Sequence, residues 1–222
     1  MGSDRGVTLD VERRLLARRG TRVAGVDEVG RGSIFGPVGV GVVVTDGRGV
    51  APEGLADSKE LSPGRREGLV DRIQEWAVES AVGYASAEEI DRWGISRALG
   101  LAGRRALTSL SGPVDWVILD GAFNWLAERD DMAEHWPAVD VGEVTTKVKA
   151  DRSCASVAAA SVLAKVDRDR LIVGMAEQFP GYGLESHKGY ATPAHIEALA
   201  RLGISGQHRR SWNLEGLIAR RT

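Results

Sequence analysis

The chain has 222 residues, 43% hydrophobic and 27% charged, with a formal net charge of −2. That is globular composition; it excludes a disordered chain and a protein that coats nucleic acid through bulk basicity alone. One cysteine, Cys154, excludes an intrachain disulfide and a cysteine-built zinc site, and histidines at 135, 187, 195 and 208 are too scattered along the chain to suggest a zinc cluster.

The N-terminal Met-Gly-Ser-Asp-Arg-Gly lacks the apolar core of a signal peptide, and no stretch has the apolar length that a bilayer requires; the single cysteine fits a cytoplasmic, reducing compartment, which is the expected location. Thr21 to Val26 reads as a buried strand ending at Asp27-Glu28. The glycine-rich turns Gly30-Arg31-Gly32 and Gly36-Pro37 follow, and Val38 to Thr45 reads as a second strand, paired with the first as a hairpin. Ser62-Pro63 opens a helix whose apolar spacing runs through Leu69, Val70, Ile73, Trp76 and Ala77 to about Ser80. A strand is expected over Ala81 to Ser86 and a helix over Ser96 to Leu110. Asp115 to Leu119 is a strand that delivers Asp120-Gly121 at its end, and Glu143 to Lys149 is another. Between them, Ala122 to Gly142 is the least structured stretch, an excursion with a short helix. An Ala-rich helix covers Ser153 to about Met175, and further helices are expected near Pro193 to Leu202 and Trp212 to Arg220. Alternating strands and helices make the class α/β with one mixed sheet.

Charge is uneven. Val144 to Thr222 holds 12 Lys or Arg against 7 Asp or Glu, a net of +5, which leaves −7 for the rest. Such a half suits a polyanion on one face, though an ordinary mixed surface has the same count.

Acids recur where strands end. Asp27 and Glu28 follow one strand and Asp120 another, and Asp151 directly precedes the Ala-rich helix. Gathered in one cleft, such carboxylates repel unless a cation joins them, and a hard divalent cation prefers oxygen ligands. That chemistry serves phosphodiester hydrolysis. Taken singly, Asp120 reads equally well as a turn former and Asp151 as a helix cap.

The text AGVDEVGRGSIFGPV (24–38), DSKELS (57–62), VILDG (117–121), KADRSCASVAAASVLAKVDRDR (149–170), SHKGYATPAH (186–195) and GISGQHRRSW (203–212) resembles ribonuclease HII, the bacterial type 2 ribonuclease H. The resemblance implies a ribonuclease H-like α/β fold: a central five-stranded mixed sheet flanked by helices, with a C-terminal helical extension. It implies one catalytic domain over 1–222, with an N-terminal segment to about 20 and the extension from about 180. The implied activity is Mg²⁺- or Mn²⁺-dependent endonucleolytic cleavage of RNA in RNA·DNA hybrids. It extends to cleavage 5′ to single ribonucleotides in duplex DNA, leaving 5′-phosphate and 3′-hydroxyl ends, in the service of ribonucleotide removal. The implied partners are these nucleic acids, with the enzyme a monomer that binds no membrane. Residue by residue, Asp27, Glu28, Asp120 and Asp151 match the metal-binding acids. Gly30, Arg31 and Gly32 match the turn that reads the 2′-hydroxyl and neighbouring phosphate, Lys59 the lysine near the substrate phosphate, and Tyr190 the tyrosine at the RNA–DNA junction.

Two departures from the family pattern stand out. The 31 positions from Asp120 to Asp151 exceed the usual bacterial spacing, and the excess falls in 122–142, where it is expected to add a surface element near the cleft. Arg97 stands where the family has Asn, so no substrate contact is expected from that helix. His187 is given no role beyond that of a surface residue; Arg209 and Arg210 read as solvated surface charges, with a phosphate contact as the weaker alternative; Asp167 and Asp169 read as surface or salt-bridge residues, and the tryptophans mostly as core or helix-face residues. Two other functions compete: a glycosidase with paired carboxylates, disfavoured because adjacent acids on a continuing strand face opposite sides, and a non-catalytic hybrid-binding module.

Overall fold

Runs of β-branched residues build the centre of the molecule. The computed structural model describes residues 6–127 and 130–219; Met1 to Arg5, Arg129 and Arg220, on which parts of the readings above fall, lie outside the described residues. Five strands, β1 (Val23–Val29), β2 (Val38–Thr45), β3 (Glu79–Ala85), β4 (Val114–Asp120) and β5 (Val141–Lys147), form one sheet in the order β3-β2-β1-β4-β5. β1 pairs antiparallel with β2, which pairs antiparallel with β3; β1–β4 and β4–β5 are parallel. β1 and β2 have the hairpin pairing expected of them. The first strand, however, does not stop before its acids. Asp27 and Glu28 lie inside it, opposite Gly41 and Val40, because β2 is long enough to pair that far.

Nine helices are formed among the described residues: α1 (Asp10–Leu16), α2 (Pro63–Glu67), α3 (Val70–Trp76), α4 (Ala87–Trp93), α5 (Ile95–Thr108), α6 (Ala155–Gly174), α7 (Leu184–His187), α8 (Pro193–Leu202) and α9 (Leu214–Ala219). α5 covers one face of the sheet, packing Leu99, Leu101, Ala102 and Ala106 on Ala24, Val26 and the even-numbered valines of β2. α6 covers the other face and is buried over most of its length. It lies so close that a Cβ on Gly25 would come within 2.2 Å of the Ser156 backbone, so β1 needs a glycine there. The helix expected from 62 to 80 is two helices. Ser62 caps the first, accepting from the Arg65 N–H, and the chain tightens at Gly68-Leu69, where Leu69 N–H bonds Arg66 O at 3.1 Å. Glycine is a poor helix former, and the break re-aims Ile73 into the core. Neither α1 nor α4 was expected. Both are single short elements whose ends are fixed by tertiary contacts or, for α4, by a Ser86/Glu89 capping box.

The excursion after β4 is not only a surface element. Trp125, Leu126, Met132 and Trp136 are buried against α5 in the main core. Among the described residues no helix is long and apolar enough to cross a membrane.

Candidate active site

Strand alternation decides which acids meet. Val23, Trp116 and Ile118 pack on the α6 side of the sheet, whereas Ala24, Val26, Val117 and Leu119 pack on the α5 side. Counting on by twos puts Asp27 and Asp120 on the α6 side and Glu28 on the other. β1 and β4 run parallel with Val26 opposite Leu119, so Asp27 and Asp120 follow side by side at the same end. Asp151 arrives from the 3-10 turn Ala150–Arg152 that leads into α6, and the Ala150 N–H donates to Asp120 Oδ1 at 2.7 Å, hanging that turn on the strand end. Lys59 comes from a second 3-10 turn, Ser58–Glu60, capped by Asp57. Its ammonium lies 3.7 Å from Asp151 Oδ2. Glu28 sits at the rim, with the Arg31 guanidinium 3.3 Å from its carboxylate.

Burial and like charge govern these acids. The Asp27 carboxyl is pushed up to about 8, chiefly by burial and further by Glu28 and Asp120, with the Ser161 hydroxyl and Lys59 acting the other way. Asp151 is pushed up to about 6, again chiefly by burial, then by Asp120 and Asp57. Burial disfavours the Lys59 ammonium, but Asp57, Asp27, Asp151 and Asp120 together hold its pKa above the ordinary value. One lysine thus stands among four aspartates.

Among the described residues no three acid, imidazole or thiol groups are drawn closely enough together to enclose a metal ion as they stand. The donors nevertheless suit a hard divalent cation. They are all carboxylate oxygens, their charges oppose one another, and Asp151 Oδ1 is buried without a hydrogen-bond donor.

Beside the acids lies the Gly30-Arg31-Gly32 turn. Gly30 has φ +74°, and a Cβ there would lie 2.0 Å from Arg168 Nε, so this position takes glycine alone. Arg31 and Gly32 are exposed. Tyr190 is half-buried next to the turn, bridged to Ser33, with Lys165 Nζ 5.7 Å and Arg168 Cζ 5.8 Å from its ring centre. All nine residues expected at a site therefore lie at one end of the sheet, with Glu28 reaching it from the rim on the other face of β1, close enough to raise the Asp27 pKa.

Several readings need correction. Arg209 is not a solvated surface charge. It is fully buried and donates to the carbonyls of Gly36 and Arg31, each at 3.0 Å. His187 is buried too, accepting from the Gly189 N–H and bonded to Tyr182 O. Arg168, which carried no reading of its own, is fully buried with carbonyl partners Pro37, Lys188 and Phe35. Asp57, which enters the sequence reading only as the first residue of the DSKELS block, is buried and accepts from the Lys59 N–H at 2.9 Å. The histidines at 187, 195 and 208, scattered in sequence, stand together in space. Carbonyl-bound arginines and imidazoles leave no mark on hydrophobic periodicity; the one available signal was their place inside the quoted blocks. Asp169 pairs with Lys165 at 2.6 Å, as a salt-bridge residue should, and Arg97 pairs with Asp131 of the excursion.

Comparison with known proteins places this geometry. The family model described as Ribonuclease HII matches residues 24–215. A ribonuclease HII of Ruegeria sp. (strain TM1040) is 46% identical over 204 residues, covering 92% of this chain and 83% of the relative. The crystal structure of ribonuclease H2 from Pyrococcus horikoshii OT3 superposes with a TM-score of 0.69 at 28% identity, covering 90% of this chain and 98% of that one. Bst-RNase HIII in complex with Mn²⁺ shares the fold, with a TM-score of 0.66 at 21% identity over 93% of this chain and 72% of that one.

Proposed function

The chain belongs to the ribonuclease HII family and is a ribonuclease H acting on RNA–DNA hybrids; from that premise we propose that it is a divalent-metal-dependent endonuclease that also cuts 5′ to single ribonucleotides in duplex DNA and so initiates their removal. The products carry 5′-phosphate and 3′-hydroxyl ends. The observation that carries this reading is the convergence of Asp27, Asp120 and Asp151 on Lys59 at the end of the β1–β4 pair, directly beside the Gly30-Arg31-Gly32 turn.

Asp27, Glu28, Asp120 and Asp151 would hold the cation. When bound, Mg²⁺ or Mn²⁺ supplies a water of lowered pKa and offsets charge at the leaving oxygen. The chain's own groups do the rest. The backbone of the Gly30-Arg31-Gly32 turn, exposed at Arg31 and Gly32, approaches the sugar closely enough to read the 2′-hydroxyl, which is what separates RNA from DNA. Arg31 and Lys59 contact phosphates and fix the register without reading sequence. The Tyr190 ring packs at the deoxyribose after the ribonucleotide, a contact indifferent to base identity. We also read the chain as one catalytic unit, a monomer working in the cytoplasm; the single buried thiol, Cys154, suits a reducing compartment.

The deciding experiment is cleavage of a DNA duplex with one embedded ribonucleotide, in Mg²⁺, in Mn²⁺ and in excess chelator. A cut 5′ to the ribonucleotide with either cation, none in chelator, and loss of at least about 10³-fold in Asp27→Asn with hybrid binding retained are the expected results. Wild-type cleavage by Asp27→Asn, or full activity in chelator, overturns the reading.

A further inference from the structure

The strand of chain from Ser33 to Gly36, which continues the Gly-Arg-Gly turn, is held on both sides. On one side, Ile34 and Phe35 N–H groups donate to Gly189 O, the Ser33 hydroxyl donates to the same carbonyl at 2.8 Å, and Ser33 bridges Tyr190. On the other, Gly36 N–H donates to Gln207 O, Arg209 N–H donates to Ile34 O, and Phe35 bridges His208. The C-terminal block 203–212 and the tyrosine segment therefore meet across the turn that lies beside the acids.

A chain of imidazoles makes the meeting direct. His195 Nδ1 lies 2.9 Å from Tyr190 O, and a carbonyl only accepts, so Nδ1 carries the proton. The neutral ring's Nε2 is then a lone pair, and His208 Nε2, 3.2 Å away, must be the donor. That leaves His208 Nδ1 as acceptor, and it receives both the Ser205 hydroxyl at 2.8 Å and the Ser205 N–H at 3.1 Å. Only one tautomer of each ring satisfies every contact, and the whole run points one way: Ser205 to His208 to His195 to the Tyr190 carbonyl. Both rings are buried, and His187 stacks on His195 with centroids 4.1 Å apart and planes at 13°, so neither ring has room to turn away.

We propose that His208 and His195 are positioning residues that act through the Tyr190 backbone to set the tyrosine ring against the substrate-reading turn, and so set the preference for an RNA–DNA junction. The proposal rests on Tyr190 being the junction-reading residue. Neither imidazole touches substrate or the reacting atoms. Their effect passes through one carbonyl bond, and it belongs to specificity more than to the hydrolytic step.

The test is a ratio: kcat/KM on a DNA duplex with a single ribonucleotide divided by kcat/KM on a continuous RNA·DNA hybrid, both measured on one preparation. Any loss of folded enzyme cancels from it. Tyr190→Ala, the reference variant, should lower the ratio about tenfold. His208→Phe keeps an aromatic ring at the position but removes all three bonds, and should lower the ratio by a comparable factor. His208→Gln, whose amide nitrogen still reaches His195 Nε2 as a donor, should recover most of the wild-type ratio. If Tyr190→Ala shifts the ratio and His208→Phe lowers both activities equally, the histidines are merely structural and the proposal fails alone. If Tyr190→Ala itself leaves the ratio unchanged, the junction reading of Tyr190 fails and takes the proposal with it.

Discussion

Burying a titratable ring in its neutral form ties stability to pH. His195 and His208 are each pulled down to about 4, chiefly by burial, with the neighbouring imidazole also opposing protonation. In the unfolded chain they return to about 6.5. Between those values the unfolded state binds more protons, so this contribution is fully present above pH 6.5 and is lost as pH falls toward 4. Each ring sets an upper bound of about 3 kcal/mol on the loss. Urea midpoints taken from pH 7 to pH 4.5 should therefore fall, and the fall should be shallower in His208→Gln than in the wild type; equal slopes would show that other groups carry the acid sensitivity. The quoted blocks contain both histidines, yet their pairing was illegible in the sequence. A bond between residues 13 apart, made by ring nitrogens, follows neither the period of a strand nor that of a helix. The acids were easier to read, because Asp27, Glu28 and Asp120 sit at strand ends that apolar runs announce. What the runs do not announce is where the strand stops: only the observed length of β1 shows that Glu28 alternates to the other face and reaches the acids from the rim.

Legibility at the scale of elements follows how far each element's boundaries are local. β2 and α8 have the expected bounds, since one is a continuous β-branched run and the other has Thr192 as cap and Pro193 at its start. The split between α2 and α3 turns on one glycine within otherwise helical spacing. The excursion after β4 was legible as an insertion but not as core, because its tryptophans are spaced irregularly and its polar residues are many. Trp136→Ala should destabilise the protein by about 3–5 kcal/mol, the usual cost of emptying a large aromatic site. Equilibrium denaturation would show it, and a loss under 1 kcal/mol would return the segment to the status of a surface loop. Arg104 ties the same segment down from α5, donating to Leu126 O and Pro137 O.

For the whole molecule, near-zero net charge conceals a division of labour. The basic C-terminal part supplies Lys165, Arg168 and Tyr190 around the turn, and the acidic remainder supplies three of the four acids. Duplex binding held mainly by phosphate contacts weakens as counterions accumulate. For Asp27→Asn in the presence of cation, the logarithm of affinity for a single-ribonucleotide duplex should fall linearly with the logarithm of salt concentration, with a slope near −0.9 per phosphate neutralised, and should change little with base sequence. A flat salt response, or affinity that follows the flanking bases, would place recognition elsewhere.

The join between α1 and α6 bears on how the chain comes off the ribosome. Glu12, buried, accepts from the Ser156 N–H and hydroxyl at 2.8 Å each, and Thr8 pairs with 153–155. The first helix can meet β1 and the 47–49 turn early, but its buried glutamate has no partner until residues 144 positions further on have been made. β1 is in the same position: β2 follows at once, but β4 is nearly a hundred residues later. Throughout that interval the β1 edge of the nascent hairpin is bare, the kind of edge that invites pairing with another chain. The segment that will hold Asp27 is then the interior strand that waits longest for its second neighbour, and translation speed through 46–120 sets how long it waits.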